Sequence, residues 1–435
     1  MNVVIAGGGW AGLSAAVELT RQGIPCTLCE AAPRLGGRAR NVHHDGWHID
    51  NGQHLMLGAY DGILSLLNVL GVPEATVLKR QPLQLNIYAL EGRRYSLKTP
   101  KLPAPLHLLY GLLNLTGLSR GERWQALRAC LALARRGFNL SDDLSLRDWL
   151  HQQRQGDNVT KVLWEPLCLA TLNTPLDEAS TKVFARVIGD AFARRRVHSD
   201  LLLFKTAIGD LLPHHADRYL NDHGSRVLLN TRVTALTTTD RAVSAVHVND
   251  DTLPADHLIL ATPPWISQTL LQPHAPEPAS QLATLRHYPI CTVYLQYPPT
   301  VTLGSDMIGM VDSTSQWVFD RAIAGQPGQM AVVISGPGTH MAMPNADLAQ
   351  HITDELAQLN PHWPAPLDWK IIREKRATFA CHTNVHTLRP GHRSPLRNLW
   401  LAGDYVDTGY PATLEGAVRS GLTCASAIIQ ANARA

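Results

Sequence analysis

The sequence predicts an α/β fold in which a Rossmann-like dinucleotide-binding domain is interleaved with a second, α+β domain. Three observations support this prediction. A short apolar run near residue 1 leads directly into the pattern G-x-G-x-x-G. A second apolar run, near residue 400, ends in Gly-Asp. Between them, proline-rich stretches at 261–299 and 325–366 indicate crossings of the chain between domains.

The first element is a strand followed by three spaced glycines. Val3-Val4-Ile5-Ala6 has the β-branched bias of a buried parallel strand. Gly7 is expected to make the tight turn, and Gly9, which lacks a Cβ, lets the backbone approach a pyrophosphate. Gly12 lets the following helix pack closely on the strand. The N-terminus of that helix would then face the phosphates.

The next elements complete a βαβ unit. Apolar residues recur at helical spacing to Thr20, Gly23 is typical of a helix C-terminus, and Ile24 to Cys29 predicts a second strand. Glu30 follows this strand and is expected to bind ribose hydroxyls. Gly36-Gly37-Arg38 comes shortly afterwards, where a nicotinamide dehydrogenase has no special need for it.

Composition excludes several classes of protein. With 435 residues, 45% hydrophobic and 17% charged, the chain is long enough for two or three domain-sized cores. The net charge of +3 indicates no nucleic-acid partner. Seven scattered cysteines, an odd number, favour a reducing compartment over a disulfide framework. The twenty histidines form no cluster at ligand spacing, so we expect no metal.

One apolar stretch suggests contact with a membrane. The sequence shows neither a secretory signal nor a transmembrane span, which predicts a cytoplasmic protein. Leu102 to Ser119 nevertheless contains no Asp, Glu, Lys or Arg, although prolines and glycines interrupt it. It is either a buried helix with loops or a patch that dips into one leaflet, and we favour peripheral attachment to the inner face of the cell membrane. Headgroup contacts would then come from Arg120, Arg123, Arg128, Arg135 and Arg136.

The later part of the chain adds more strands and a second glycine motif. Arg226 to Leu236, Ala242 to Val248 and Leu253 to Thr262 read as three successive strands with polar turns. Leu399 to Asp404 reads as a buried strand that ends in Gly403-Asp404. Pro411 to Ala427 then reads as a helix that opens with proline.

Together these motifs resemble the FAD-binding fingerprint of the amine oxidase, phytoene desaturase and protoporphyrinogen oxidase superfamily. The resemblance implies FAD, with the backbone at Val233 against the adenine and Asp404 near the ribityl or pyrophosphate region. It implies a discontinuous FAD-binding domain (1–75, 210–265 and 385–435) and a substrate and membrane-contact domain (76–209 and 266–384). The implied cofactor residues are Gly7, Gly9, Gly12, Glu30, Gly36, Gly37, Arg38, Gly52, Gln53, His54, Val233, Gly403, Asp404, Thr413 and Leu414.

Two further stretches narrow the resemblance. His48 to Tyr60 and Leu163 to Pro175 resemble signatures of the squalene-associated FAD-dependent desaturases, understood as hydroxysqualene dehydroxylases of hopanoid biosynthesis. Lys205 to Pro213 follows that family loosely, since members often carry proline where Lys205 stands. The implied reaction reduces hydroxysqualene to squalene, with hydride from reduced FAD and loss of the hydroxyl as water. No motif identifies the electron donor that reduces the flavin.

This reaction needs an acid or a stabilised cation, because hydroxide is a poor leaving group. His54 is one candidate donor with Asp50 as its orienting partner, although Asp50-Asn51-Gly52 also fits a structural turn. Glu165 is the alternative acid, unless it is a helix carboxylate paired with arginine. Candidate residues of the substrate pocket, for each of which packing is the other interpretation, are Trp164, Asn173, Trp317, Tyr405 and Tyr410.

Three other functions remain open from the sequence. A carotenoid-type desaturase would use the same fold with oxidised flavin to remove hydride from a polyene. An amine oxidase would share the cofactor motifs but suits a polar substrate less well. A Rab-escort-like protein would share the architecture and bind prenylated partners without flavin.

Overall fold

The computed structural model describes residues 1–44 and 46–433 of the chain. The strands of the described residues, in chain order, are β1 (Val3–Ala6), β2 (Cys26–Cys29), β3 (Asn41–His44), β4 (Trp47–Asp50), β5 (Met56–Leu57), β6 (Leu78–Gln81), β7 (Gln84–Ala89), β8 (Arg94–Lys98), β9 (Leu201–Phe204), β10 (Arg226–Leu228), β11 (Val233–Thr239), β12 (Ala242–Val248), β13 (Asp251–Pro254), β14 (His257–Leu260), β15 (His287–Gln296), β16 (Met307–Val311), β17 (Trp317–Asp320), β18 (Gln329–Ser335), β19 (Asp368–Phe379) and β20 (Leu399–Leu401).

The α-helices of the described residues, in chain order, are α1 (Trp10–Arg21), α2 (Asp61–Val69), α3 (Glu74–Val77), α4 (Leu106–Leu113), α5 (Arg120–Arg135), α6 (Leu146–Gln152), α7 (Asp157–Val159), α8 (Glu165–Leu172), α9 (Thr181–Phe192), α10 (Ile208–Leu211), α11 (Pro213–Asp222), α12 (Pro264–Leu271), α13 (Pro276–Thr284), α14 (Asn345–Leu359) and α15 (Leu414–Asn432). A π-helical turn, Thr160–Trp164, joins α7 to α8. None of the described helices is both long and apolar enough to cross a bilayer.

A five-stranded parallel sheet forms the first layer, in the order β10-β2-β1-β14-β20. Its strands are apolar because both faces are covered. Helices α1 and α15 pack together on one face, so closely that a Cβ at Gly421 would lie 2.1 Å from the Ala11 carbonyl oxygen. All five strands come from the segments 1–75, 210–265 and 385–435, while the division into two domains stays a prediction.

The carboxyl ends of these strands bring distant loops to one edge of the sheet. β1 leads into Gly7, β2 into Glu30, β14 into Thr262 and β20 into Gly403. Because the strands are parallel, these loops meet although they lie up to 400 residues apart. In doubly wound sheets this is the edge at which nucleotides bind.

A seven-stranded mixed sheet, in the order β19-β15-β18-β17-β16-β7-β8, forms the second layer. Successive side chains along each strand point to opposite faces of this sheet. In β18, Val332 and Ile334 pack in the core under α14, whereas Val333 and Ser335 face a cavity between this sheet, the parallel sheet and helices α8 and α9. The predicted α/β fold with an interleaved α+β part is confirmed.

The sequence placed some element boundaries wrongly. Two of the three strands predicted in the middle of the chain each divide between two sheets. β10 pairs with β2 in the parallel sheet, while β11 belongs to the antiparallel sheet β11-β12-β13, and Asn230 between them takes a positive φ of 52°. β13 and β14 divide in the same way. The last helix begins at Leu414, not at Pro411, because the Thr413 hydroxyl caps it by accepting a hydrogen bond from the Gly416 N–H.

Candidate active site

A cavity of about 860 Å³ lies between the two sheets. Its lining residues fall into two groups. One group is glycine-rich and polar and comes from the loops at the carboxyl edge of the parallel sheet. The other is apolar and comes from the mixed sheet and helices α8 and α9, and includes Leu85, Val187, Ile188, Met307, Phe319 and Val333.

In the glycine-rich wall, a side chain at Gly7 or Gly12 would collide with the neighbouring backbone. Gly7 has a φ of 110°, and a Cβ there would lie 2.5 Å from the Ala261 carbonyl oxygen. A Cβ at Gly12 would lie 1.9 Å from the Gly7 carbonyl oxygen, so Gly12 allows the close packing of α1 on β1 that its position predicts. Gly9, Gly36 and Gly37 line the cavity beside Gly7. The backbone here is therefore open to a bulky anionic ligand.

Glu30 is held at one end of this wall. Its Oε2 accepts a hydrogen bond from the Gly8 N–H and its Oε1 one from the Ala32 N–H, both 2.7 Å long. Each carboxylate oxygen has a second lone pair. Glu30 can therefore accept further hydrogen bonds from vicinal hydroxyls without losing its own support.

Arg38 and Asp404 join the first and last glycine motifs. Arg38 Nη2 lies 2.5 Å from Asp404 Oδ1, and Arg38 Nη1 donates to the Ala377 carbonyl oxygen at 2.7 Å. Burial tends to lower the pKa of Arg38, but the adjacent Asp404 carboxylate outweighs it and the pKa is raised. Both residues line the cavity, so this ion pair forms part of its wall.

The N-terminus of α15 closes the other end of the wall. Thr413 caps the helix, and Thr413 and Leu414 both line the cavity. The unpaired N–H groups of a first helical turn favour negative charge. The wall thus offers an acidic residue, bare glycine backbone and a helix N-terminus in succession. These are the groups that an FAD needs for its ribose, pyrophosphate and reduced flavin ring, and the residues present fit that cofactor.

Gly52, Gln53 and His54 all line the cavity, but Asp50 does not. Asp50 is 3% exposed, and its carboxylate accepts hydrogen bonds from Arg321 Nη1 at 3.1 Å and from the Ile208 N–H at 2.9 Å. No described hydrogen bond joins it to His54. Arg321 and the backbone thus occupy the oxygens of Asp50, and its role as the orienting partner of His54 stays a prediction.

His54 is buried at Nδ1, which has no hydrogen-bond partner among the described residues. Burial lowers the pKa of His54 below its ordinary value of 6.5, although the Asp50 charge opposes this shift. The ring is therefore mainly neutral at pH 7, and a hydrogen bond to the Gly52 backbone, like the Asp50 charge, partly opposes the effect of burial on the pKa. Gln53 is held firmly beside it, since its Oε1 accepts from Arg321 Nη1 at 2.6 Å and its Nε2 donates to the His54 carbonyl oxygen.

The stretch Leu163 to Pro175, the second of the two signatures, contributes part of the cavity wall but places no acidic side chain in it. Leu167, Ala170 and Thr171 share one face of α8 and line the cavity. Glu165 does not line it. Glu165 lies half-buried where the charges of Arg147 and Lys161 act on it, and burial raises its pKa. The face of α8 that meets the cavity does not include Glu165, so Glu165 is poorly placed to act as the alternative acid.

Trp164 is also absent from the cavity wall. It is 1% exposed, and its Nε1–H donates to Gln155 Oε1 at 2.9 Å. Its ring packs edge-on against Phe184. The structure favours the packing interpretation of Trp164, because the buried indole N–H has its partner inside the helical layer.

Asn173 lines the cavity, but both ends of its amide already make hydrogen bonds within the protein. Its Nδ2 donates to Thr378 Oγ1 and to the Pro289 carbonyl oxygen, and its Oδ1 accepts from the Gly336 N–H. Its φ of 49° ends α8 in the left-handed conformation. Asn173 therefore links the end of α8 to the mixed sheet by hydrogen bonds. A direct contact between Asn173 and a substrate stays a prediction.

Three of the predicted aromatic residues do line the cavity, namely Trp317, Tyr405 and Tyr410. The Tyr405 hydroxyl is hydrogen-bonded to Ser267 Oγ at 3.0 Å. The Tyr410 hydroxyl donates to Asp190 Oδ2 at 2.5 Å, which together with burial raises the pKa of Tyr410 to about 12. The two tyrosine rings are therefore held in place by their hydroxyls, whereas the buried Trp317 Nε1–H has no hydrogen-bond partner among the described residues.

Sequence reasoning missed most of the apolar wall and several polar residues that line the cavity, among them Glu374 on β19. Asp190, on α9, lines the cavity and pairs with Arg186 and Arg194. The apolar wall could have been found from the period of two in its strands, as with Trp317 and Phe319 in β17. Val233 is buried in β11 and does not line the cavity, so its backbone contact with an adenine stays a prediction.

Comparisons with known proteins agree with this cofactor site. A family model described as flavin containing amine oxidoreductase matches residues 10–429. The chain is 28% identical to the hydroxysqualene dehydroxylase of Rhodopseudomonas palustris, over 99% of both chains. It is 25% identical to the 15-cis-phytoene desaturase of an Oncidium hybrid cultivar, over 99% of this chain and 78% of the relative. These relatives confirm the resemblance that the two signatures indicate.

Solved structures share the fold. The cyclohexylamine oxidase of Brevibacterium oxydans superposes with a TM-score of 0.74 over 99% of this chain and 98% of that chain, at 17% identity. At this identity the likeness concerns the fold alone. It confirms the predicted architecture.

Proposed function

Because this chain belongs to the flavin-containing amine oxidoreductase family and is an FAD-dependent oxidoreductase, we propose that it reduces hydroxysqualene to squalene. The similarity to hydroxysqualene dehydroxylase extends over the whole length of both proteins and supports this substrate. The reaction would supply squalene for hopanoid or related terpenoid synthesis.

The single structural observation behind the proposal is that an apolar chamber is continuous with the cofactor cleft. Its walls carry leucine, isoleucine, valine and aromatic side chains from β7, β15, β17, β18 and α9. A long hydrocarbon gains about 25 cal/mol for each Å² of surface it buries there. A small charged amine would gain little from such walls. The chamber therefore suits a polyprenyl chain with one polar atom.

In the proposed reaction the C–O bond of an allylic alcohol breaks, the oxygen takes a proton and leaves as water, and the carbon takes a hydride. Bound, reduced FAD would supply the hydride, which carries both electrons of the reduction. The protein supplies the proton and the surroundings. Apolar walls exclude water. Water therefore cannot add to a developing allylic cation before the hydride is transferred to it. The Trp317 and Tyr405 rings can stabilise such a cation.

His54 is the proposed proton donor. It lines the cavity beside Gly52 and Gln53, and its neutral ring can carry a proton on either nitrogen. Burial makes the protonated ring a stronger acid than a free imidazolium, because the charged form is poorly solvated there. Glu165 lies outside the cavity, so His54 is favoured over it.

We also propose that the protein meets its substrate at the inner face of the cell membrane. Nine large apolar side chains are exposed in the described residues, and six of them lie between residues 102 and 131. We name these six the α4–α5 face, and they are Leu102, Leu106, Tyr110, Leu113, Trp124 and Leu131. Exposed arginines at positions 120, 128 and 135 lie on the same helix as Trp124. This combination suits an anionic lipid surface.

The test is a product analysis with chemically reduced enzyme, which avoids any need to know the physiological electron donor. Anaerobic, dithionite-reduced protein is mixed separately with hydroxysqualene, phytoene and squalene. We expect flavin oxidation and formation of squalene with hydroxysqualene alone. Oxidised enzyme that desaturates phytoene, with no reaction of reduced enzyme with hydroxysqualene, would instead establish the carotenoid-type desaturase.

A further inference from the structure

Arg389 is a buried arginine outside every predicted motif. It is 4% exposed, and its guanidinium lies 4.7 Å from the centre of the Phe379 ring. All of its hydrogen bonds go to residues 404–410, the segment between the Gly403-Asp404 motif and the cap of α15. Every described hydrogen bond of the Arg389 side chain is therefore made to this one short loop.

The loop is wrapped around this one side chain. Arg389 Nε donates to the Tyr405 carbonyl oxygen at 3.2 Å, and Nη1 to that of Tyr410 at 2.7 Å. Nη2 donates to the carbonyl oxygens of Asp404, at 3.1 Å, and of Val406. Nη2 also lies 3.4 Å from Thr408 Oγ1. Buried carbonyl groups need donors, and here a planar guanidinium supplies them in place of a helix or a strand.

The same loop forms part of the cofactor wall. Asp404, Tyr405 and Tyr410 all line the cavity, and each has its carbonyl oxygen on Arg389. The position of the guanidinium therefore sets the direction of these three side chains. It also sets where the chain enters α15, whose N-terminus faces the cavity.

The charge of Arg389 has no buried counterion. Carbonyl groups carry no net charge, and the Asp404 carboxylate is already paired with Arg38. The other nearby carboxylate belongs to Asp407, 3.9 Å from Nη1, and its side chain is 42% exposed, so that water weakens its compensation of the charge without removing it. Burial lowers the pKa of Arg389, as expected for a cation that is poorly compensated. A positive potential therefore acts on the cavity from behind the loop.

We propose that Arg389 is a positioning residue for FAD. Its fork of N–H groups holds the 404–410 loop in the shape that binds the cofactor, and its charge favours the reduced, more negative flavin and so raises the midpoint potential. The inference depends on FAD, which the family establishes, and not on hydroxysqualene as the substrate. Failure of the substrate assay above would leave it intact.

The experiment compares Arg389→Lys, Arg389→Gln and the control Arg393→Gln. Arg393 stacks on Trp400 at 5.2 Å and makes no described contact with the loop. Three readouts are taken: FAD content after purification and dialysis, hydrogen exchange of residues 404–410 in the FAD-free protein, and the midpoint potential by equilibration with a reference dye.

Both Arg389 variants should exchange the loop amides faster and bind FAD roughly tenfold or more weakly, the range for losing charged hydrogen bonds. Only Arg389→Gln should shift the midpoint potential to more negative values, since lysine keeps the charge. Wild-type FAD content and loop exchange in Arg389→Lys would overturn the positioning role. An unchanged potential in Arg389→Gln would overturn the electrostatic role.

A second variant covers the case in which Arg389→Gln does not fold. Asp407→Asn neutralises the exposed carboxylate nearest to Arg389 and leaves an oxygen for the Gly409 N–H. It should raise the midpoint potential while FAD content stays at the wild-type level. A wild-type potential in this variant would contradict the charge effect, and Arg389→Lys decides the positioning role by itself.

Discussion

His54 is the single residue on which the proposed chemistry depends most. It lines the cavity, and neither Asp50 nor any other described side chain fixes its tautomer. His54→Ala should therefore retain FAD but slow the single-turnover oxidation of reduced flavin by hydroxysqualene roughly a hundredfold or more, the usual range for loss of a general acid. Stopped-flow absorbance of the flavin measures this rate.

Glu165→Gln is the matched control for that experiment, because Glu165 was the alternative acid and lies outside the cavity. We expect its single-turnover rate to stay close to that of the wild type. A slow Glu165→Gln together with a fast His54→Ala would transfer the role to Glu165. Two fast variants would mean that the hydroxyl leaves without either side chain.

The pH dependence of the same step follows from the environment of His54. Burial lowers its pKa below 6.5, so only a small fraction of the ring is protonated at neutral pH. If the protonated ring is the donor, the rate should rise as the pH is lowered from 7.5 towards 5.5. His54→Ala should lose this dependence. A rate that falls on acidification in the wild type would exclude protonated His54 as the acid.

Glu30 tests the cofactor end of the cavity. Its carboxylate is aligned by the N–H groups of Gly8 and Ala32 and keeps free lone pairs for ribose hydroxyls. Glu30→Ala should weaken FAD binding by about 1.5–3 kcal/mol for each charged hydrogen bond lost. Titration of the FAD-free protein with FAD measures this. Glu18→Ala is the control, because Glu18 is a partly buried carboxylate on α1 that pairs with Arg21 and does not line the cavity, and this variant should bind FAD normally.

At the scale of elements, α4 and α5 carry the proposed membrane contact. Leu106 and Tyr110 are each 51% exposed and Trp124 is 62% exposed. The triple variant Leu106→Ser, Tyr110→Ser, Leu113→Ser should lose sedimentation with vesicles that contain anionic lipid, yet keep its flavin. Trp124 should show a blue-shifted emission with vesicles in the wild type only.

A matched control is available elsewhere on the surface. Leu229 and Leu367 are also exposed, at 39% and 69%, but lie far from the α4–α5 face in sequence. Leu229→Ser with Leu367→Ser should sediment like the wild type. Equal sedimentation of the triple variant and the wild type would return α4 to an ordinary surface helix.

The second signature shows that a sequence can reveal an element without revealing which of its residues face a cavity. Its residues form α8, which lines the cavity with Leu167, Ala170 and Thr171. Trp164 ends the π-helical turn Thr160–Trp164 and Glu165 begins α8, and neither residue lines the cavity. Which face of a helix meets a cavity depends on neighbouring elements, and these lie far away in the sequence.

At the scale of the whole molecule, buried histidines predict how stability depends on pH. Burial lowers the pKa of seven described histidines, namely His54, His107, His215, His257, His287, His340 and His392. In the unfolded chain these rings bind protons below about pH 6.5, whereas in the folded protein they resist doing so. Unfolding therefore takes up protons, and the free energy of unfolding should fall as the pH drops from 7.5 to 5.5.

Urea unfolding at fixed FAD concentration and three pH values measures this trend. Glu165, whose pKa is raised by burial, titrates in the opposite sense but is a single group against seven. His107→Gln should flatten the dependence, because His107 is completely buried. Constant or increasing stability on acidification would show that these rings are protonated in the folded protein.

The sequence by itself determined the cofactor and the family. A pyrophosphate can approach the backbone at the end of a strand only where no Cβ is in the way, so such a site needs glycine at set positions. The residues that meet this requirement or flank it are Gly7, Gly9, Gly12, Glu30, Gly403 and Asp404. Such demands leave a fixed spacing that can be read along the chain. The same holds for the βαβ unit, whose strand, helix and second strand are contiguous.

Only the tertiary structure decided which polar side chains face the cavity. Arg321 takes the carboxylate of Asp50, which lies 271 residues away. Arg389 shapes the loop after Asp404 although no pattern singles it out. The physical reason is that a charged side chain forms its hydrogen bonds with whichever opposite charge or carbonyl group lies within about 3 Å of it. Tertiary packing decides which group that is, and the spacing of residues along the sequence does not reveal it.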